Sequence, residues 1–336
     1  MGTEPALDEG STSRTEKGAA APSAEHPAEV STGGWKDIAW RVKEEIGADH
    51  VTLSAAGVSF FAFSAFLPFL ALAVTLYGLV ADPSDITALA DRLGAVAPEQ
   101  VTSFVTEQLS MVTTTSTSAL SISLLLSLGA GLWSTSSAMG HLIEAMNIAY
   151  DEDTDDRPFW KRRLIAIALT LAFLATLAVS AAAVIASSSI AGGAVGLAAQ
   201  LVGWLLAGIF AAGALAALYR YSPDRDDPKW VWVSPGAVFT VIAWLLVSLG
   251  FRIYVGNFGS YNETYGSLGA VIVLLFWLYL TSLVIIIGAE INAETERQTS
   301  TDTTTGPGEP LGDRGAVVAD ELPPDASRSP AMNDDA

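Results

Sequence analysis

Residues 164–219 read LIAIALTLAFLATLAVSAAAVIASSSIAGGAVGLAAQLVGWLLAGIFAAGALAALY, without a single Asp, Glu, Lys or Arg. A transmembrane helix needs roughly 20 apolar residues, at about 1.5 Å of rise per residue. The stretch is therefore long enough for two membrane crossings, and Gly192 and Gly193 mark a turn near its middle. This pattern predicts an integral membrane protein.

Four other stretches also lack charged residues and are long enough to cross a bilayer: 51–81, 110–140, 231–251 and 264–289. With two passes in the first stretch, six crossings result. We therefore expect an all-α, polytopic integral membrane protein with six transmembrane helices, amphipathic interfacial helices and both termini inside. The membrane domain is predicted over residues 35–297, with crossings at about 54–80, 120–141, 164–190, 197–219, 235–255 and 268–291.

Two polar stretches of this domain place apolar residues at helical spacing. Trp35, Ile38, Val42 and Ile46 have the spacing of a helix that lies on the membrane surface. Residues 82–118 are too polar to cross, and their pattern predicts two short amphipathic helices on the outer face.

The 336-residue chain has a formal net charge of -19, part of which lies in its two tails. Residues 1–34 and 298–336 are rich in Ala, Gly, Pro, Ser, Thr and acids, so both are predicted to be disordered acidic cytoplasmic tails. Without a basic face the chain has no means of neutralising phosphates, which excludes nucleic acid as a partner. Membrane lipids are the expected partners, with a lipid or small solute as substrate. The sequence does not define the oligomeric state.

Basic residues near the crossings indicate the orientation, because they accumulate on the cytoplasmic side of inner-membrane proteins. The outer side has only Arg92 and Arg252. The other side collects Lys36, Arg41, Lys43, Arg157, Lys161, Arg162, Arg163, Arg220, Arg225, Lys229 and Arg297. Both termini are therefore predicted to be cytoplasmic, in a multi-pass protein of the cytoplasmic (inner) membrane.

One face of the second crossing carries small and hydroxyl residues: Ser127, Gly131, Ser134 and Thr135, with Ser136 beside them. Small residues let helix backbones approach closely, and hydroxyls form hydrogen bonds between helices. This face is either a packing surface or the border of a polar path through the bundle.

Three further residues in the crossings have two interpretations each. Pro68 removes a helical hydrogen bond and marks either a tolerated kink or a hinge. Arg252 either extends to the outer interface or binds an anionic group. Glu290 is either a solvated helix end near the cytoplasmic boundary or an intramembrane proton site.

The loop 261–269 combines two tyrosines with glycines that allow close backbone approach. Its aromatic rings either anchor in the membrane interface or stack on a sugar. With these residues, the candidates for a transport path are Pro68, Ser127, Ser134, Thr135, Ser136, Asn147, Arg252, Tyr254, Tyr261, Tyr265, Gly266, Glu290 and Asn292.

The sequence offers no catalytic, cofactor-binding or metal site. It has no cysteine, and His26, His50 and His141 lack metal-ligand spacing. It also lacks a phosphate-binding glycine loop with a lysine and a Gly-x-Ser-x-Gly elbow. We therefore predict that the protein is not an enzyme and carries no cofactor.

Three ordered blocks of sequence resemble a known family. The first is AAGVSFFAFSAFLP at 55–68, and the second is WSTSSA at 133–138 with EAMNIAY at 144–150 and Arg157. The third consists of YGSLGA at 265–270, WLYL at 277–280 and GAEINA at 288–293. Over about residues 35–297 the chain is similar to the YihY / virulence factor BrkB family of bacterial inner-membrane proteins.

This resemblance implies a six-helix membrane fold without an agreed biochemical activity. Family members have been linked to serum resistance and to handling of envelope lipid or lipopolysaccharide, and some carry the name tRNA-processing ribonuclease BN. Hydrolysis of RNA needs a metal or an acid–base pair facing the cytoplasm. The sequence shows neither, so a ribonuclease BN-type nuclease is disfavoured.

The leading hypothesis is transport or translocation of a lipid or small solute, or envelope maintenance. Its path would be formed by the second, fifth and sixth crossings. The alternative is a non-transporting membrane scaffold that recruits partners through loop 82–118 or through the tails.

Overall fold

A computed structural model describes residues 24–80, 120–152, 154–188, 192–256 and 267–321. The predicted outer loop 82–118, the first 23 residues and residues 322–336 lie outside the described residues. The helices are the 3-10 helix η1 (Pro27–Glu29) and the α-helices α1 (Thr32–Ala48), α2 (Val51–Val80), α3 (Leu120–Ala149), α4 (Phe159–Ser188), α5 (Ala194–Tyr221), α6 (Trp230–Gly256), α7 (Ser267–Arg297) and α8 (Val317–Asp320).

The all-helical membrane class is confirmed for the described part of the chain, which contains no strand. Four of its helices, α4 to α7, are long and apolar enough to cross a membrane. A fifth span is obtained if α1 and the first half of α2, which bend by 64° at their junction, count as one. Six crossings and an inward location of both termini stay predictions.

The six long helices α2 to α7 pack as a closed ring. Each contacts the next along the chain, and α7 closes the ring by packing on α2. A further contact joins α7 to α3, and α1 lies on α7 and the start of α2. Consequently α7 contacts more helices than those members of the ring that pack only on their two ring neighbours.

One end of this ring holds most of the buried core, and we call it the polar end. It is the end at which α2, α4 and α6 begin and α3, α5 and α7 finish. The core there joins residues such as Val51, Met146, Tyr219, Val233 and Ala289 from five of these helices. Packing at this end explains why α3 continues to Ala149, past the predicted crossing limit at 141: its last turns are buried in the core.

The start of the fifth crossing differs from the prediction. We expected it near residue 235, whereas α6 begins at Trp230 and Pro235 lies inside it. The Ser234 hydroxyl donates to the carbonyl oxygens of Trp230 and Val231, at 3.1 and 2.8 Å. These bonds occupy carbonyl oxygens in the turn that proline interrupts, so the helix continues through it.

Parts of both predicted disordered tails are packed in the structure. Residues 298–321 return across the polar end, where Arg314 is buried and donates to the carbonyl oxygens of Ser300 (2.8 Å) and Ala319 (2.7 Å). Val318 of α8 enters the core. The Thr299 hydroxyl also donates to the Ala24 carbonyl oxygen. Composition suggested disorder because large apolar residues are scarce, but these segments are held by backbone hydrogen bonds to buried polar side chains.

Candidate functional site

Besides Thr295, the last three turns of α7 carry four buried residues with a carboxylate or amide side chain. Glu290, Asn292, Glu294 and Glu296 are each at most 1% exposed. Residues two apart point in different directions on a helix, so burial of all four requires neighbours on every side. The polar end supplies them from α1, α3, α6 and the loop that precedes α6.

Two of these carboxylates form ion pairs. Glu294 contacts Arg41 of α1 and Arg297 of its own helix, the latter at 2.7 Å. Glu296 receives both terminal nitrogens of Arg225, at 2.7 and 3.3 Å, and both side chains are fully buried. Burial and the charge of Glu296 act oppositely on the pKa of Arg225, and the charge raises it. These two carboxylates are structural.

Glu290 and Asn292 lie outside these ion pairs. Among the described residues, Glu290 Oε1 is buried and unbonded, whereas the buried side chains of Asn292 and of Tyr150, which follows α3, face each other. The Asn292 amide oxygen accepts from the Gly236 backbone N–H at 2.7 Å. Asp49, at the junction of α1 and α2, lies beside Glu290. Glu290 with Asp49 and Asn292 with Tyr150 form two neighbouring pairs on different faces of α7, and we call the four residues together the Glu290 cluster.

Asp49 is the half-buried member of this cluster, and its environment favours the protonated form. Burial raises its pKa to about 6, and the charges of Asp151 and Glu45 act in the same direction. Contact with Glu290 and the charge of Arg297 oppose the shift. A carboxyl with this pKa takes up or releases a proton in the physiological range.

Asn292 of the Glu290 cluster lies at a close backbone contact between helices α6 and α7. A Cβ atom on Gly236 would overlap the Gly288 carbonyl oxygen and the Asn292 amide. A Cβ on Gly288 would overlap the hydroxyls of Tyr219 and Thr240, which lie 2.8 Å apart. The glycines therefore bring α6 and α7 together and position Asn292 against the α6 backbone.

Asn147 lies in a separate clamp between two loops of the polar end. Its amide oxygen accepts from the Asp224 N–H at 2.8 Å, and its amide nitrogen donates to Asp155 at 3.3 Å. Arg157 joins the same loops by donating to Asp155 and to the Ser222 carbonyl oxygen, at 2.8 and 2.9 Å. Burial opposes ionisation of Asp155, but its bonds to Arg157 lower its pKa below the usual value. Asn147 therefore positions loops.

The hydroxyl face of α3 lies away from the Glu290 cluster. Thr135 and Ser136 are buried, and Ser136 donates to the Trp133 carbonyl oxygen at 3.0 Å. Thr135 Oγ1 has no hydrogen-bond partner in the described part of the chain, and Ser134 is half-buried. For Ser127 the backbone is helical and the side chain lies outside the described residues. A path along this face stays a prediction.

The remaining candidates are dispersed. Pro68 lies inside α2, with its carbonyl oxygen 3.9 Å from the position of a Cβ on Gly131 of α3. Arg252 and Tyr254 are exposed near the other end of α6. Tyr261, Tyr265 and Gly266 lie outside the described residues. Of the thirteen candidates, Glu290 and Asn292 are both buried in the same turn of α7, on different faces of the helix.

Sequence reasoning treated Glu290 as a solvated helix end in one interpretation, and the structure buries it instead. It also missed Asp49 and Tyr150. The position of Asp49 between two helical patterns could have indicated it. A charged residue at such a junction lies at the level where other helices of the bundle begin or end. Tyr150 gave no such signal, because a tyrosine at a helix end usually indicates interfacial anchoring.

The chemistry available to the Glu290 cluster is proton exchange and hydrogen bonding to a polar group. The Glu290 carboxyl, the Asn292 amide and the Tyr150 hydroxyl can form hydrogen bonds with polar groups of a solute or lipid headgroup. Among the described residues, no group of three or more His, Cys, Asp or Glu side chains is arranged to hold a metal ion.

A family model described as Virulence factor BrkB matches residues 42–310. YfkH of Bacillus subtilis (strain 168), named as a ribonuclease-like protein, is 36% identical over 184 residues, which cover 50% of this chain and 65% of YfkH. A UPF0761 membrane protein of Tolumonas auensis is 29% identical over 119 residues, covering 30% of this chain and 39% of that protein. Another, from Rhodospirillum centenum, is 30% identical over 117 residues, with 34% and 26% covered. The chain thus spans less than two thirds of each of these relatives. No solved structure matches it.

Proposed function

Because the chain belongs to the virulence factor BrkB family, we propose that it is a multi-pass protein of the cytoplasmic membrane that moves a lipid or small solute across the bilayer. The observation that carries this proposal is the Glu290 cluster. Glu290, near the polar end of a helix of the membrane ring, keeps a buried carboxyl oxygen, Oε1, that has no hydrogen-bond partner among the described residues. An ionisable group that is buried in a membrane helix without a partner is costly, and such groups mark substrate or ion pathways.

The proposed orientation has the polar end in the cytoplasm. The charged loops between α3 and α4 and between α5 and α6 belong to this end, together with α1 and the end of α7. Basic loops face the cytoplasm in inner-membrane proteins, which supports placing both tails there. Because the chain has no cysteine, single cysteines at Glu25 and Asp320 would report sidedness by labelling of intact cells. Labelling of either cysteine without permeabilisation would contradict this orientation.

Transport is tested in proteoliposomes with a phospholipid that carries a fluorescent headgroup reduced by external dithionite. The chain should increase the fraction of probe that becomes accessible, and Glu290→Gln and Asn292→Leu should lower that rate at least severalfold. Glu144→Gln is the matched control, because this substitution makes the same chemical change on an exposed side chain. Glu144 pairs with His141 and Arg162.

Three results would redirect the proposal. Equal rates in all variants and in empty liposomes would exclude movement of this lipid class, and a panel of small fluorescent solutes in the same liposomes would then test the other class. An envelope phenotype in cells that depends on residues 298–336 and not on Glu290 would favour the scaffold. RNA cleavage by the purified chain with Mg²⁺, abolished by chelation, would favour a nuclease, as the name of YfkH suggests for that protein.

A further inference from the structure

A groove separates α1 from α6 at the polar end. Both helices pack on α7, which forms its floor through Ile287 and Ile291, and η1 closes one end. Its volume is about 870 Å³, within the range of roughly 300–1,000 Å³ that holds small-molecule ligands. Phe239 of α6 lines this groove and is exposed, so the groove opens toward the outside of the ring.

The walls of this groove are apolar over their length. On α1 they include Trp35, Ala39 and Val42, and on α6 they include Val238 and Ile242. Each set repeats at three or four residues, so each helix turns one continuous apolar stripe toward the groove. Val238 and Ile242 are 51% and 54% exposed, so this apolar wall of the groove is uncovered in the described part of the chain. A linear hydrocarbon chain matches this shape and chemistry.

Two lysines lie on the flank of α1 next to the groove. Lys36 and Lys43 are exposed, and at about 100° per residue they lie on the same flank of α1, roughly a quarter turn from its groove stripe. Lys43 Nζ lies 4.7 Å from the ring of Trp40. The acids Asp37 and Glu44 lie about half a turn from the groove stripe, and Glu45 lies on the opposite flank from the lysines, near Glu294 of α7. An anionic headgroup at the mouth would thus meet the lysines rather than the acids of α1.

We infer that this groove is a binding site for one anionic phospholipid, with an acyl chain between α1 and α6 and its headgroup phosphate at Lys36 and Lys43. Charge complementarity at the mouth and the apolar lining below it specify an amphiphile with a negative head. The site involves the face of α7 that carries Ile287 and Ile291, and none of the Glu290 cluster lines it. It therefore stands whether or not the protein transports.

The test is native mass spectrometry of the purified full-length chain, delipidated in detergent and titrated with palmitoyl-oleoyl phosphatidylglycerol. One lipid should bind before the rest. Ala39→Trp fills the groove and should weaken this first binding about tenfold, as expected if about two methylene groups are excluded. Ala178→Trp is the matched control on an exposed position of α4 and should leave it unchanged.

A charge variant tests the headgroup assignment. Lys36→Gln and Lys43→Gln should each weaken binding of phosphatidylglycerol about fivefold. The control Lys161→Gln removes an exposed lysine of α4 and should leave this binding unchanged. Phosphatidylcholine should bind more weakly and respond to neither lysine. Equal lipid retention by Ala39→Trp, Ala178→Trp and the unmodified chain would mean general annular lipid only and would overturn the site.

The folding of the groove variants is checked by monodispersity and thermal midpoint, and Ala39→Leu provides a smaller change if the tryptophan variant is unstable. Glu290→Gln separates the two proposals. It should lower flux while binding phosphatidylglycerol normally, whereas Ala39→Trp should lose the tightly bound lipid whatever its flux.

Discussion

Replacing Gly236 by alanine tests whether α6 and α7 meet backbone to backbone beside the Glu290 cluster. The added Cβ would overlap the carbonyl oxygen of Gly288 and the amide of Asn292. A backbone carbonyl cannot rotate out of the way, so the helices must separate. Separation also weakens the bond from the Gly236 N–H to Asn292.

The size of the effect follows from three contributions. Overpacking of this kind costs about 1–3 kcal/mol, and loss of one buried hydrogen bond costs about 1 kcal/mol. Alanine returns up to about 1 kcal/mol through its higher helix propensity. The net loss is about 1–3 kcal/mol, which for a chain of this size lowers the unfolding midpoint by on the order of 5 °C.

Gly250 offers a matched control in the same helix. A Cβ there meets no atom of the described residues within 4 Å, so Gly250→Ala keeps only the propensity gain and should leave the midpoint unchanged or slightly higher. The assay is the apparent unfolding midpoint of purified protein in one detergent, measured at one heating rate. Equal midpoints for Gly236→Ala and Gly250→Ala would refute the close contact between α6 and α7.

A double variant sharpens this test. Gly288→Ala alone should also destabilise, because its Cβ would overlap the hydroxyls of Tyr219 and Thr240. Once the helices have separated for one methyl group, the second costs less. The loss for Gly236→Ala with Gly288→Ala should therefore be smaller than the sum of the single losses, which is the behaviour expected of residues in contact.

Two further predictions concern buried charges. Glu296→Gln leaves Arg225 buried without its partner and should cost about 3–5 kcal/mol, whereas Glu144→Gln on an exposed pair should cost about 0–1 kcal/mol; similar midpoint shifts would contradict the buried pair. Asp49 has a pKa of about 6 in the folded chain against about 3.9 when unfolded, so its contribution to stability is present below pH 4 and is lost as the pH rises through 6. The midpoint of the unmodified chain should therefore fall relative to that of Asp49→Asn between pH 4 and 6.5, and a constant difference would show that Asp49 is not buried beside other acids.

The class of the fold could be predicted from the sequence because each apolar stretch is by itself long and hydrophobic enough to enter the hydrocarbon core of a bilayer. Residues 164–219 need no partner to be recognised as two helices, and α4 and α5 appear with a turn at Gly193 as expected. The boundaries were less accurate where the chain leaves the bilayer. There α3 and α6 continue through polar residues and Pro235, because packing and side-chain bonds stabilise turns that hydropathy alone does not predict.

The candidate site was only partly predictable, for a related reason. Glu290 and Asn292 were recognisable as polar residues at the end of an apolar helix, but whether their polar atoms find partners depends on what faces them. Asp49 and Tyr150 precede them by more than a hundred residues. Their approach to α7 follows from how six helices close into a ring, which local patterns do not record.

The sequence by itself thus determines that this chain resides in a membrane, since burial of apolar residues in hydrocarbon is additive along a helix and requires no knowledge of neighbours. Only the tertiary structure decides which polar atoms lose water without gaining a partner. That outcome depends on the rotation and separation of each helix pair, and at α6 and α7 it is set by the absence of two side chains, at Gly236 and Gly288.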